Sequence, residues 1–394
     1  MINKLLILLL ILSFSCQKTD DPMNPKPPGG DPDPVDEMQE DIAELDKLIS
    51  DYMTKFSLPG VTLAIAKNEK LVYVKGYGLA DKEKNVSVTP EHVFRIASCS
   101  KAYTGMAIMK LVEEGKLKLT DKVFGSGAVM GTKYGSKEYS QSLKEISVSH
   151  LLLNTSGTFV NAQKRDLINT REDLNNQEYL SWVLDNSVME FEPGSAYHYV
   201  NVNFFIAAMI VEEVSGKPFY DYLKEKILTP IGDDITKLAL NQADLPNEVK
   251  YYGQGNLTNS IYNFNIERYI GSGNVVTNAK SLLKFATALD GKTSRSDLLS
   301  SALMSEFTTV TPHSPNWAHG LGVWGQRLYM YGSLPSTRAG WIIDKNTGLA
   351  AAIISNSNAD YTNPTLDQEI VYAQQDLLVN LVSTQRNFKS IDQF

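Results

Sequence analysis

The sequence predicts an α+β fold: an antiparallel sheet assembled from both ends of the chain and flanked by helices, with a mostly helical region packed beside it. Three observations point there. Short β-rich runs cluster near residues 61–77 and again at 322–355. Between them, helical periodicity dominates as far as about residue 289. An amphipathic segment precedes the first strands and another follows the last. Strands at both termini with helices between them imply one sheet closed by segments distant in sequence.

Met1-Ile2-Asn3-Lys4 carries positive charge, and the apolar run of residues 5–14 behind it is too short to span a bilayer as a mature helix. Residues 1–15 therefore read as a signal peptide. Residues 16–38, dense in Pro, Gly and Asp, cannot bury a core and read as a solvated tether. The folded domain is assigned to 39–394. Residues 39–56 put Ile42, Leu45, Leu48, Ile49 and Met53 on one face of a helix, which Pro59-Gly60 ends. The runs 61–66 and 71–77 flank Lys67-Asn68-Glu69-Lys70 as a hairpin. Next comes a helix carrying Ala102, Met106, Met109 and Leu111-Val112, stopped by Gly115. Further helices are expected near 148–153, 177–185, 203–215, 218–227 and 278–289, so the helical insertion covers roughly 95–290. Residues 322–331, 339–344 and 349–355 read as three successive strands. Leu366, Ile370, Ala373, Leu377 and Leu381 mark a closing helix over 366–382.

With 394 residues, 43% of them hydrophobic, the chain has material for a sizeable core. Its formal charge of −8 and scattered lysines exclude a nucleic-acid footprint. Five histidines and two cysteines never fall into metal-ligand spacing, so no metal or other cofactor is expected.

Ser98-Cys99-Ser100-Lys101 carries the chemistry. It sets a hydroxyl and an amine three residues apart at a helix start, on one face. A desolvated lysine can serve as the base that makes such a serine a nucleophile, and nearby helix N-terminal N–H groups favour the oxyanion that follows. The same spacing recurs at Ser15…Lys18, in the leader, and at Ser281…Lys284, inside an amphipathic helix with no turn before it. Both read as coincidences. Tyr199-Val200-Asn201 follows Phe191-Glu192-Pro193-Gly194 and precedes a helix, so extended backbone points the phenol and the amide the same way. Near a cationic lysine, Tyr199 can be pushed toward phenolate and act as a base, and Asn201 can bond a substrate carbonyl. Alternatively Tyr199 is a packing tyrosine. Tyr361-Thr362-Asn363 repeats the spacing without its context. Cys99 reads as a small apolar residue packed behind Ser98.

In order, Phe94-Arg95-Ile96-Ala97-Ser98-Cys99-Ser100-Lys101, His150-Leu151-Leu152-Leu153-Asn154-Thr155-Ser156-Gly157 and Tyr199-Val200-Asn201 resemble the class C β-lactamase and D-alanyl-D-alanine carboxypeptidase superfamily. Ser215-Gly216-Lys217-Pro218-Phe219 and Asp344…Gly348-Leu349…Asn356 extend the likeness over roughly 40–385. The resemblance implies a β-lactamase/transpeptidase-like fold and a serine hydrolase that forms an acyl-enzyme. Ser98 is then the nucleophile, Lys101 and Tyr199 the base system, and Asn201 a substrate contact. The third motif of the family, Lys or His, any residue, then Gly, falls on Met330-Tyr331-Gly332, followed by Ser333. The backbone N–H of Ser333 would join that of Ser98 as oxyanion hole. Met330 departs from the pattern, since a thioether cannot bind a carboxylate. Asn154 stands where the family usually has His. Arg338 could restore the missing cation. Ser13-Phe14-Ser15-Cys16 also resembles a lipoprotein cleavage site, implying a lipid on Cys16 and an extracytoplasmic, membrane-tethered location on a bacterial membrane.

Three functional readings follow. The first is an exported serine hydrolase acting on an ester, amide or peptide. The second is a true β-lactamase or penicillin-binding D,D-carboxypeptidase. The third is a non-catalytic ligand-binding relative. The expected partners are a small-molecule or peptide substrate and, through the lipid, a membrane. The oligomeric state is not legible.

Overall fold

A computed structural model describes residues 34–241, 245–254, 260–263, 265–292, 294–358, 364–388 and 392–394. The signal peptide, Cys16 and Tyr361-Thr362-Asn363 lie outside the described residues. Helix α1 spans Pro34–Lys55 and so begins inside the segment expected to be tether. A proline is tolerated in a first helical turn, where its missing N–H has no intrahelical partner to lose.

Strands β1 (Gly60–Lys67) and β2 (Lys70–Asp81) form the expected hairpin. Asn68 and Glu69 at its tip both have positive φ, 47° and 62°, the conformation that matches the twist of a tight two-residue turn. Short strands β3 (Val86–Ser87) and β4 (Phe94–Arg95) follow, then α2 (Ser100–Glu113), α3 (Gln141–Glu145), α4 (Val148–Leu152), α5 (Asn176–Asn186), α6 (Asn201–Ser215) and α7 (Phe219–Leu223). The helix expected over 218–227 is only half α-helical, because residues 224–228 continue α7 as a π-type turn. Strands β5 (Lys237–Leu238) and β6 (Val275–Thr277) precede α8 (Ala279–Thr287) and α9 (Ser301–Phe307). The run expected to be one strand over 322–331 is two, β7 (Gly322–Trp324) and β8 (Arg327–Leu334), folded back at Gly325-Gln326. Gly325 takes φ +57° there, which lets the chain reverse. Then come β9 (Thr337–Asp344), β10 (Leu349–Ser355) and α10 (Pro364–Ser383).

The main sheet has seven strands in the order β3-β2-β1-β10-β9-β8-β7, its ladders antiparallel. The N-terminal and C-terminal strands meet in register, with Val61 opposite Ser355 and Lys67 opposite Leu349. Central strands β1 and β10 are buried on both faces, and alternation sorts their side chains between two layers. Val61, Leu63, Ile65, Ala351 and Ile353 join Leu45, Ile49, Ile370 and Leu378 of α1 and α10. Ala64, Ala66, Ala350, Ala352 and Ile354 face the other core, which contains α8 and the buried helices α2 and α6. A second small sheet, β4-β6-β5, joins β4 to two strands that lie more than a hundred residues further along the sequence. Its strands are two or three residues long, too short for any periodicity to show in the sequence.

Candidate active site

Ser98 sits in a 3₁₀ turn (Ala97–Cys99) that leads directly into α2. Two sheets grip this turn. On one side β4 pairs with β6, and the Ile96 N–H donates to Val275 O at 3.0 Å. The Ser100 hydroxyl ties the turn from within, donating to Ala97 O at 2.6 Å and accepting the Val275 N–H at 3.0 Å. On the other side β8 presses so close that a Cβ on Gly332 would stand 2.2 Å from Ile96 O and 3.0 Å from the Ser98 nitrogen. Only glycine permits that approach. Ala97 is held at φ +49°, an unfavourable conformation for a residue with a side chain, and this presents Ser98 at the edge of the cavity.

The sequence placed Lys101 and Tyr199 beside Ser98, and the fold brings them there. Lys101 Nζ lies 3.1 Å from Ser98 Oγ, and the Tyr199 hydroxyl donates to the same oxygen at 2.8 Å. The amine has two further acceptors, Asn201 Oδ1 and Ser272 O, each at 2.7 Å. Lys101 is fully buried, and that burial pushes its pKa down to about 7 against the opposing pull of Asp166. In the neutral amine, two N–H groups satisfy Asn201 and Ser272. The lone pair is then left for the proton of Ser98. Tyr199 behaves otherwise than expected: burial pushes the phenol well up, so Lys101 does not hold it near phenolate. A phenol that keeps its proton is the donor in its contact with Ser98 Oγ. Trp317 meets its ring edge-on at 5.6 Å and is itself pinned by donating to Leu152 O at 2.9 Å.

Ser98, Tyr199, Asn201, Gly332, Ser333 and Arg338 line one cavity of about 590 Å³, together with Tyr269, Tyr331, Leu334 and Val371. Ser333 stands opposite Arg338 in the β8–β9 register, and its hydroxyl accepts from Asn358 Nδ2 at 2.8 Å. Arg338 Nε donates to Gln374 Oε1 at 2.9 Å. Met330 shares the face of β8 with Gly332 but is 2% exposed and belongs to the apolar core, so it does not line the cavity. Cys99 is fully buried with Sγ 3.7 Å from Met330 O, and burial pushes its thiol up, as suits a packing residue. Ser281 lies buried in the first turn of α8, where its N–H is capped by Asn278 at 2.8 Å. No lysine–tyrosine pair approaches its hydroxyl among the hydrogen bonds of the described residues. A larger hollow of about 650 Å³, lined by Asp121, Lys122, residues 124–129 and Lys144, holds no comparable hydrogen-bonded nucleophile and base.

Three supporting residues were not legible as such. Asn154, at φ +56°, accepts the Val200 N–H (3.1 Å) and Asn203 Nδ2 (3.0 Å) on its side chain and the His198 N–H on its carbonyl (2.9 Å). It thus holds both sides of Tyr199. Ser272 reaches Lys101 because the neighbouring Gly271 lies against α6, where a Cβ would meet Phe204 O at 2.5 Å. Asp166 accepts the backbone N–H of Asn201. Asp166 and Ser272 stand in no periodic or motif-like context; the signal available for Asn154 was its position inside the Leu-Leu-Leu-Asn-Thr-Ser-Gly segment.

The comparisons with known proteins agree with this architecture. Protein flp of Staphylococcus aureus (strain N315) is 29% identical over 188 residues, a match spanning 48% of this chain and 36% of that relative. The chain thus aligns with little more than a third of that relative's length. D-amino acid amidase from Ochrobactrum anthropi SV3 superposes with a TM-score of 0.67 at 22% identity, covering 86% of this chain and 99% of that one. The octameric penicillin-binding protein homologue from Pyrococcus abyssi gives 0.66 at 22% identity, covering 86% and 78%. These two likenesses show the fold. The Beta-lactamase family model matches residues 45–374, a span that takes in the Ser98 turn, the Tyr199 segment and strand β8; with the β-lactamase/transpeptidase-like sheet and helices around them, the chain belongs to the Beta-lactamase family.

Proposed function

We propose that the protein is an exported serine hydrolase that forms an acyl-enzyme on Ser98, with an ester, amide or peptide as substrate. The observation that carries this reading is Ser98 Oγ held within hydrogen-bond reach of both Lys101 Nζ and the Tyr199 hydroxyl at the edge of a cavity. Neutral Lys101 takes the Ser98 proton as Oγ attacks the carbonyl carbon. The backbone N–H groups of Ser98 and Ser333 receive the oxyanion, and Asn201 steadies the substrate carbonyl on the acyl side. Tyr199 donates its proton to the departing atom and is reprotonated from Lys101. Water then attacks the ester on Ser98 by the reverse path. The likeness to an amidase and to a penicillin-binding protein homologue supports a carbonyl substrate. The cavity's Tyr199, Tyr269, Tyr331, Leu334 and Val371 favour a hydrophobic group beside that carbonyl.

Intact mass after fluorophosphonate treatment tests the reading. The wild type gains one phosphonyl group, and Ser98→Ala gains none. A gain that survives in Ser98→Ala and disappears in Cys99→Ala would overturn it. The export half of the proposal rests on residues 1–38, with a lipid on Cys16. Stable anchoring needs more than one acyl chain. Cys16→Ala is expected to leave the membrane fraction, and a wild type found wholly soluble after cell fractionation removes the anchor from the proposal.

One observation favours a second reading, a β-lactamase or D,D-carboxypeptidase: Arg338 lines the cavity opposite Ser333. A guanidinium there could meet the substrate carboxylate that Met330 cannot. Labelling by a fluorescent penicillin that is lost in Arg338→Ala would select this reading over neutral substrates.

A further inference from the structure

Asp166 belongs to no motif. It lies on the loop after α4, and its carboxylate reaches the Asn201 backbone. Helix α6 begins at Asn201 with Val200 in the capping position, where no side-chain hydrogen bond caps the helix. Asp166 supplies what the valine cannot: Oδ2 accepts the Asn201 backbone N–H, and Oδ1 accepts the Ile168 N–H at 3.0 Å. Asn201 Oδ1 in turn accepts from Lys101 Nζ at 2.7 Å. A chain of contacts therefore runs from the carboxylate through the backbone and side chain of Asn201 to the amine.

We propose that Asp166 is a positioning residue for the Ser98 reaction, its carboxylate fixing the Asn201 backbone at the start of α6 so that Asn201 Oδ1 meets Lys101, and placing a negative charge near the Lys101 amine. This inference rests on the reading of Lys101 as the base. The groups around that amine come from several elements. Ser98 and Cys99 belong to its own turn, Tyr199 and Asn201 to the segment entering α6. The Phe204 ring lies 5.5 Å away on α6, and Ser272 O faces it from the 270–274 loop. Burial pushes both Cys99 and Tyr199 up, so both are neutral where the amine titrates. Asp166 is the anion that opposes the effect of burial on Lys101. Burial raises the Asp166 carboxyl as well, but the backbone N–H groups of Asn201 and Ile168 can only donate, and so favour its charged form.

The test is the pH dependence of Ser98 phosphonylation in the full chain, from pH 5 to 9, with thermal unfolding measured alongside. The neutral amine is the active form, so the rate climbs as pH rises through the Lys101 titration. In Asp166→Asn the ammonium loses its partner charge and gives up its proton more readily. The acid limb is expected to move about one pH unit lower, and the plateau to fall several-fold as Asn201 loosens. An acid limb that stays at its wild-type position, whatever happens to the plateau or the melting temperature, overturns the proposal. Asp166→Ser is the second variant and carries the same expectation for the limb. If neither variant folds, Asp166 is a structural residue and the proposal fails. Lys101→Met separates this from failure of the base reading: phosphonylation at the full rate without the amine would remove Lys101 as base, whereas an unmoved limb in the Asp166 variants with a slow Lys101→Met removes Asp166 alone.

Discussion

Gly332→Ala tests how closely the site depends on the approach of β8 to the Ser98 turn. The new Cβ would start 2.2 Å from Ile96 O and 3.0 Å from the Ser98 nitrogen. Ordinary contact between such atoms is roughly 3.4 Å, so strand and turn must part by about 1 Å. That opening separates the Ser98 and Ser333 backbones, the two groups proposed to share the oxyanion. A misplacement of about 1 Å costs on the order of 100-fold in rate, equivalent to about 2.7 kcal/mol of lost transition-state stabilisation. Overpacking of this kind also destabilises by roughly 1–3 kcal/mol. The assay is the second-order rate of fluorophosphonate labelling beside thermal unfolding followed by circular dichroism. Gly325→Asn at the β7–β8 turn serves as control, because asparagine tolerates positive φ and nothing lies within 4 Å of the added Cβ. The control should label at the wild-type rate. Gly332→Ala labelling at that rate with an unchanged melting temperature would refute both the contact and the proposed oxyanion site.

Lys101→Met and Tyr199→Phe should each slow labelling of Ser98 by at least about 100-fold, the scale of a lost general acid or base; a full rate in Tyr199→Phe on a good ester would make it a packing residue. For the wild type, the acylation rate should rise with pH through about 7 as Lys101 becomes neutral, and a rate already flat from pH 5 upward would exclude the amine as base. Neutral esters bearing a hydrophobic group should react faster than penicillins of comparable intrinsic reactivity; a wild type that turns over a cephalosporin faster than p-nitrophenyl butyrate would point to Arg338 as the carboxylate contact. Met330→Lys should lower the melting temperature, because residue 330 is buried in the apolar core, and should give no gain toward penicillins, because that position does not line the cavity. A gain toward penicillins would mean that a side chain at 330 does reach the substrate.

Much of this protein is local, and what is local was legible. Ser98 and Lys101 share a helix face because they are three residues apart at a helix start, and that relation survives in the fold at 3.1 Å. The hairpin at Asn68-Glu69, the apolar runs of strands β9 and β10, and the helices α5, α6, α8 and α10 followed from residue type, periodicity and turn chemistry. Gly325 between two β-rich stretches was a turn signal that the single-strand reading of 322–331 passed over. Tertiary structure decided the rest. The two- and three-residue strands β4, β5 and β6 form only because the core brings distant segments side by side, and a pattern that short leaves no trace in a sequence. Asp166, Ser272 and Asn154 are polar residues on loops, where no periodicity constrains them and the loop path alone settles which N–H or amine they meet. The protonation of the site was likewise undecided until burial could be seen. A lysine near a tyrosine can make phenolate or surrender its own proton, and here burial disfavours charge on either, leaving an amine that titrates near neutrality and a neutral phenol beside Ser98.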